Sequence, residues 1–119
     1  MRSHTWLSVL APLLDQRLAY TTNTQFVADI VTQASPLTNL RADITCVDLY
    51  RRCQSRGAPV MEAQRGDLLF WGSCNRPYYV AIYYGGGYYV HWNATTQEIV
   101  ITTLTKQNYP SFSVFVPEK

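Results

Sequence analysis

Tyr78-Tyr79-Val80-Ala81-Ile82-Tyr83-Tyr84-Gly85-Gly86-Gly87-Tyr88-Tyr89-Val90-His91-Trp92 is the stretch that decides the fold. Two runs rich in Tyr, Val and Ile flank three consecutive glycines, which predicts an antiparallel hairpin of residues 78–84 and 88–92. The glycines are not a phosphate loop, because no helix follows and no Lys-Ser/Thr completes such a motif. Upstream, a Gly66-Asp67 turn opens the apolar run Leu68-Leu69-Phe70-Trp71, with residues 72–77 expected as a loop. Downstream, a turn at 93–97 leads into the β-branched run 98–103. A last strand is expected at 112–116, between Pro110 and Pro117. Five strands in sequence, without intervening helices, describe an antiparallel meander.

The other half of the chain reads as helix. Phe26, Val27, Ile30 and Val31 fall at helical spacing, with Thr24 expected as the cap and Ser35-Pro36 as the stop. After a polar connection over 37–43, Thr45 and Asp48 have the spacing of a capping box. The helix they open is expected to run over 46–56 and to end at Gly57. A short amphipathic helix is expected at 12–19, with Trp6, Leu7 and Leu10 leading in. Its apolar stretch contains Ser8 and Pro12 and has no small-x-small site after it, so it does not read as a secretory leader.

Composition narrows the function classes. In 119 residues, charged side chains make up 15% and aromatics 13%, a balance suited to a packed domain rather than a disordered chain. A net charge of +2 gives no electrostatic case for nucleic acid. No apolar run reaches the roughly 18 residues that a bilayer span needs. Three cysteines and two histidines do not cluster at ligand spacing, so neither a metal nor any other cofactor is expected. Cys46 and Cys53 sit about 10 Å apart along a helix axis, too far for a disulfide, and free thiols are expected.

Cys46 is the sharpest chemical signal. It stands in the first turn of its helix, where unpaired backbone N–H groups favour an anion by about 0.3–1 kcal/mol. That setting lowers a thiol pKa and can hold an oxyanion; Asp48, one turn on, opposes thiolate formation. The bland alternative is a buried cysteine packing as a small hydrophobe. His4 lies close to the terminus and is discounted as a base. His91 falls on one face of its strand, with Val90 and Trp92 on the other. The many strand aromatics exceed what one core can take, which predicts an exposed aromatic patch.

The order of these elements resembles the papain-like NlpC-type cell-wall cysteine peptidases, relatives of the CHAP amidases and the lecithin:retinol acyltransferase-like proteins. The matching segments are Thr45-Cys46-Val47-Asp48-Leu49-Tyr50, Arg65-Gly66-Asp67-Leu68-Leu69-Phe70-Trp71 and the strand–glycine–strand unit ending at His91. Residues 26–116 carry the likeness. It implies an α+β fold, with N-terminal helices packed on an antiparallel five-stranded sheet. One domain would fill 1–119, with 1–24 as a helical extension and 25–119 as the core.

The resemblance also assigns roles. Cys46 matches the nucleophile, and His91 matches the polar third member that orients the catalytic imidazole. The catalytic histidine that opens the family motif His-Val-Gly-Ile-Tyr is replaced by Tyr79, a phenol with an ordinary pKa near about 10. The family signature Asp-Cys-Ser-Gly reads Thr45-Cys46-Val47-Asp48 here, so the Asp before the nucleophile is missing. Tyr78, Trp71 and Asp48 are the expected substrate contacts. The implied function is a cysteine peptidase or amidase on peptidoglycan peptides, in a phage tail, a lysis enzyme or a delivered toxin. Weak or lost activity follows from Tyr79 unless His91 serves as an unusual base. A degenerate fold kept as a structural or binding module and a thiol acyltransferase are the alternatives. The partners would be a peptidoglycan peptide or other subunits of an assembly, and the site of action the virion or the cell wall after synthesis in the cytoplasm.

Overall fold

The computed structural model describes residues 5–14, 16–37 and 40–117; His4 lies outside them. Its helices are α1 (Thr5–Leu10), α2 (Asn23–Ala34) and α3 (Cys46–Cys53). Its strands are β1 (Leu68–Ser73), β2 (Arg76–Gly85), β3 (Tyr88–Asn93), β4 (Glu98–Thr103) and β5 (Phe112–Val114). They form one five-stranded sheet in the order β4-β3-β2-β1-β5, every neighbouring pair antiparallel. This is the α+β arrangement the sequence predicts.

Strand alternation builds two cores. Leu68 and Phe70 of β1, Val80 and Ile82 of β2, and Val90 and Trp92 of β3 face the helices. They pack with Phe26, Ile30, Leu49 and Cys53 from α2 and α3. On the opposite face, Leu69, Trp71, Ala81 and Tyr89 form a second, smaller cluster with Val60. Much of the surplus of strand aromatics goes into this second layer, with Tyr79 and Tyr83 packed against it. Tyr78 and Tyr88 stay exposed, and the pairing of Tyr88 with Gly85 puts them at opposite ends of the hairpin. Each sheet edge is met at one point by another part of the chain. Arg17 bridges to Glu98 along β4, and Ala58 bridges to Ser113 along β5.

Several boundaries differ from expectation, each for a local reason. The first helix lies before Pro12 rather than after it. Trp6 and Leu10, four residues apart and fully buried, form its inner face, and Pro12 sits in the 3-10 turn Ala11–Leu13 that ends it. Residues expected as an extension thus belong to the main core. Thr22, not Thr24, caps α2, accepting a hydrogen bond from the Gln25 N–H at 3.0 Å. Helix α3 stops at Cys53, because Gln54 turns left-handed at φ 53°. Gly57 serves close packing instead: a Cβ there would lie 2.9 Å from the Phe112 ring. The expected 72–77 loop is a tight turn between β1 and β2, with Gly72 at a bulge and φ +102°. Strand β5 ends at Val114, two residues early, although Val116 remains buried.

Candidate active site

Thr45 accepts a hydrogen bond from the Asp48 N–H at 3.2 Å and so fixes the start of α3. Cys46 is therefore the first residue of α3, as its setting in the sequence predicts. Its side chain is 7% exposed, at the floor of a groove of about 530 Å³ between the start of α2 and the loop before α3. Thr22, Thr24, Asp43, Ile44 and Tyr78 are among its walls. The sulfur is hydrogen-bonded to the Thr24 hydroxyl at 3.2 Å. Burial pushes the Cys46 thiol pKa up, and the Thr24 contact pulls it part of the way back.

Tyr79 and His91 meet on the second face of the sheet, from adjacent strands. The Tyr79 hydroxyl and His91 Nδ1 are 2.7 Å apart. His91 Nε2 lies 2.9 Å from the Thr102 hydroxyl on β4. A neutral ring accepts at one nitrogen and donates from the other, and both hydroxyls can rotate to match. Burial holds the His91 pKa below its ordinary value. Tyr79 is pushed up to about 12, first by burial and then by Tyr89 and Cys46, either of which would repel a phenolate. The Tyr79 hydroxyl is thus engaged by His91, and the Cys46 thiol by Thr24.

The expected substrate contacts separate. Tyr78 is 73% exposed and borders the Cys46 groove. Trp71 does not line that groove. It is buried on the second face, with its ring centroid 5.4 Å from Tyr79 and 5.3 Å from Tyr89. Asp48 lines a neighbouring cavity of about 460 Å³ with Arg41, Arg51 and Arg52.

Four residues that hold the site in place were not singled out as site residues in the sequence. Thr24 holds the sulfur, and Thr102 holds the far side of the imidazole. Asn108 accepts from Trp71 Nε1 through its carbonyl at 2.7 Å and donates from Nδ2 to the Tyr89 hydroxyl at 3.2 Å. Asn23 donates to the Val80 carbonyl at 2.6 Å and accepts from the Trp92 N–H at 2.8 Å. It thereby clips α2 to β2 and β3, one residue away from both Tyr79 and His91. Each acts across 11 or more residues in sequence, so spacing gave no signal.

A thiol at a helix start over a sheet that bears an ordered imidazole is a papain-like layout, and residues 15–116 match the NlpC/P60 family. The chain belongs to the NlpC/P60 family. Among solved structures, it resembles the NlpC/p60 domain of the peptidoglycan hydrolase SagA. The TM-score is 0.74 at 20% identity, covering 98% of this chain and 100% of that one. It also resembles the P60 domain of antigen MAP1204 from M. avium subspecies paratuberculosis, with a TM-score of 0.61 at 15% identity, covering 98% and 95% of the two chains. A segment of 32 residues is 59% identical to Protein P54 of Enterococcus faecium. That match covers 27% of this chain and 6% of the relative, so the chain spans only a small part of that protein's length.

Proposed function

We propose that this NlpC/P60 domain binds peptides of the bacterial cell wall in the Cys46 groove without efficient hydrolysis. The observation that carries the reading is the pairing of Tyr79 with His91 at 2.7 Å, both held neutral by burial. Cysteine hydrolysis needs a thiolate and a proton donor for the leaving amine, and a thiolate–imidazolium pair supplies both. Here a phenol stands where the resemblance puts the base. The thiol is hydrogen-bonded to Thr24 and the phenol to His91. Each acceptor is poor: the phenol has a raised pKa and the imidazole a lowered one. An ordinary thiol at pH 7 is about 3% ionised, and burial holds Cys46 below that.

The groove itself stays open. It has the size of a peptide-side-chain site, with Tyr78 on its rim for stacking. The test compares the wild type, Tyr79→His and Cys46→Ala on purified peptidoglycan. Co-sedimentation reads binding, and chromatography of released fragments reads hydrolysis. All three proteins should sediment with the wall, and only Tyr79→His should release fragments well above background. Robust wild-type release abolished by Cys46→Ala would overturn the reading, as would failure of the wild type to sediment.

A further inference from the structure

The cavity beside Asp48 shares a wall with the Cys46 groove, since Asp43 and Ile44 line both. Three arginines and two aspartates surround it, an excess of one positive charge. Arg41 is engaged locally: its Nε lies 3.2 Å from Asp43 Oδ1, and a second guanidinium nitrogen 3.4 Å from Oδ2. That leaves Arg51 and Arg52 of α3 against Asp48. Among the described residues, no carboxylate lies within ion-pair distance of Arg51. A last-turn position on α3 suits a cation, because the carbonyl end of a helix is negative. That accounts for the charge of the two arginines, but not for a guanidinium without a carboxylate beside the groove that holds the thiol.

We propose that this arginine cavity holds a free carboxylate of the peptide bound in the Cys46 groove, so that the domain prefers wall peptides bearing carboxylates to the same peptides bearing carboxamides. This preference rests on the groove reading above and adds the ligand's charge to it. A guanidinium presents a planar fork of N–H donors that meets a carboxylate through two parallel hydrogen bonds. A carboxamide offers one acceptor oxygen and turns its own donors toward a group that only donates. The excess of one positive charge matches a single carboxylate and disfavours an ammonium. Ile44, half-buried in the shared wall, gives the peptide's apolar atoms a surface between groove and cavity. Neither Cys46 nor Tyr78, Tyr79, His91 or Trp71 lines the cavity, so its arginines select the ligand without taking part in proton transfer. Arg51 is exposed, and water screening keeps the discrimination modest.

The experiment is co-sedimentation of the intact domain with purified peptidoglycan, native and after its carboxylates are converted to carboxamides with carbodiimide and ammonium. The wild type should bind the native wall roughly 3- to 10-fold more tightly. Arg51→Gln should bind the two walls alike, as weakly as the wild type binds the amidated one. Arg51→Lys, which keeps the charge without the fork, should recover part of the preference. Arg51 is exposed, so neither substitution disturbs the core. Lys106→Gln removes the same charge from the loop after β4 and should keep the preference in full. Equal binding of both walls by the wild type would overturn the proposal. So would a preference undiminished in Arg51→Gln, or one reduced as much in Lys106→Gln, which would trace it to net charge alone. Binding that survives amidation yet falls in Arg51→Gln would assign the arginines to a phosphodiester of the wall and overturn it too. A wild type that sediments with neither wall would overturn the groove reading and this preference with it, whereas equal binding of both leaves the groove reading intact.

Discussion

A helix N-terminus favours a thiolate by about 0.3–1 kcal/mol, less than one pKa unit at 1.36 kcal/mol per unit. Desolvation of a well-buried group can move a pKa by several units. At Cys46, 7% exposed, burial wins and the thiol is raised. The sequence reveals the helix position because Thr45 and Asp48 mark it within three residues. It does not reveal the depth of the side chain, which is set by α2 and β2 from far along the chain. Thr24 is the counterweight, since its hydroxyl can donate to a thiolate. Thr24→Val should therefore raise the Cys46 pKa further and slow its alkylation near neutral pH by roughly 2- to 10-fold, in line with the loss of one hydrogen bond to a charged group. Iodoacetamide labelling followed by mass spectrometry across pH reads this, in a Cys74→Ser background because Cys74 is exposed. Faster labelling of Thr24→Val would show that the hydroxyl shields the sulfur rather than supporting its charge.

At the scale of elements, alternation and punctuation in the sequence make the strands legible. Glu98–Thr103 is read to the residue, and the two hairpin strands lie within the observed ones. Every inward position of β1 to β3 is a large apolar residue, so register follows from the burial pattern. Helix ends are harder to read. Gly57 has the chemistry of a stop, yet Gln54 turns the chain first, and Pro12 closes a helix where the sequence suggests an opening. The side-chain clip of Asn23 is invisible for another reason: its partners Val80 and Trp92 lie 57 and 69 residues away. Asn23→Ala would leave the Trp92 N–H and Val80 carbonyl, on two buried residues, without these bonds. The expected cost is about 1–3 kcal/mol. Urea unfolding should show the midpoint drop, and Asn23→Asp should show one too, because a carboxylate oxygen in place of the amide N–H meets the Val80 carbonyl acceptor to acceptor. A variant as stable as the wild type would mean that water replaces the clip.

At the scale of the whole molecule, both faces of the sheet bury titratable groups in their neutral forms, and stability should therefore peak near neutrality. His91 is held below its ordinary 6.5. Between its folded value and about 6.5 the unfolded chain binds the proton more tightly, so stability is full above that window and falls on acidification. The alkaline side runs the other way. Cys53 rises from 9.0 to about 12 and Tyr79 from 10.0 to about 12, chiefly through burial. The unfolded chain loses these protons first, so stability is full below about 9 and declines towards about 12. The acid limb reports the second face through His91, and the alkaline limb reports both layers, through Tyr79 on the second face and Cys53 in the helical core. Thermal unfolding across pH should thus give a plateau from about 7 to about 9 with a fall on each side. Cys53→Val, close in volume and without a titrating proton, should make the alkaline limb shallower, leaving the part due to Tyr79, and leave the acid limb unchanged. His91→Gln should do the reverse between pH of about 5.5 and 7, above the range where carboxylates titrate. An alkaline limb equally steep in Cys53→Val would place its origin in the phenols of the second face, and an unchanged acid limb in His91→Gln would show that the imidazole titrates freely in the folded protein.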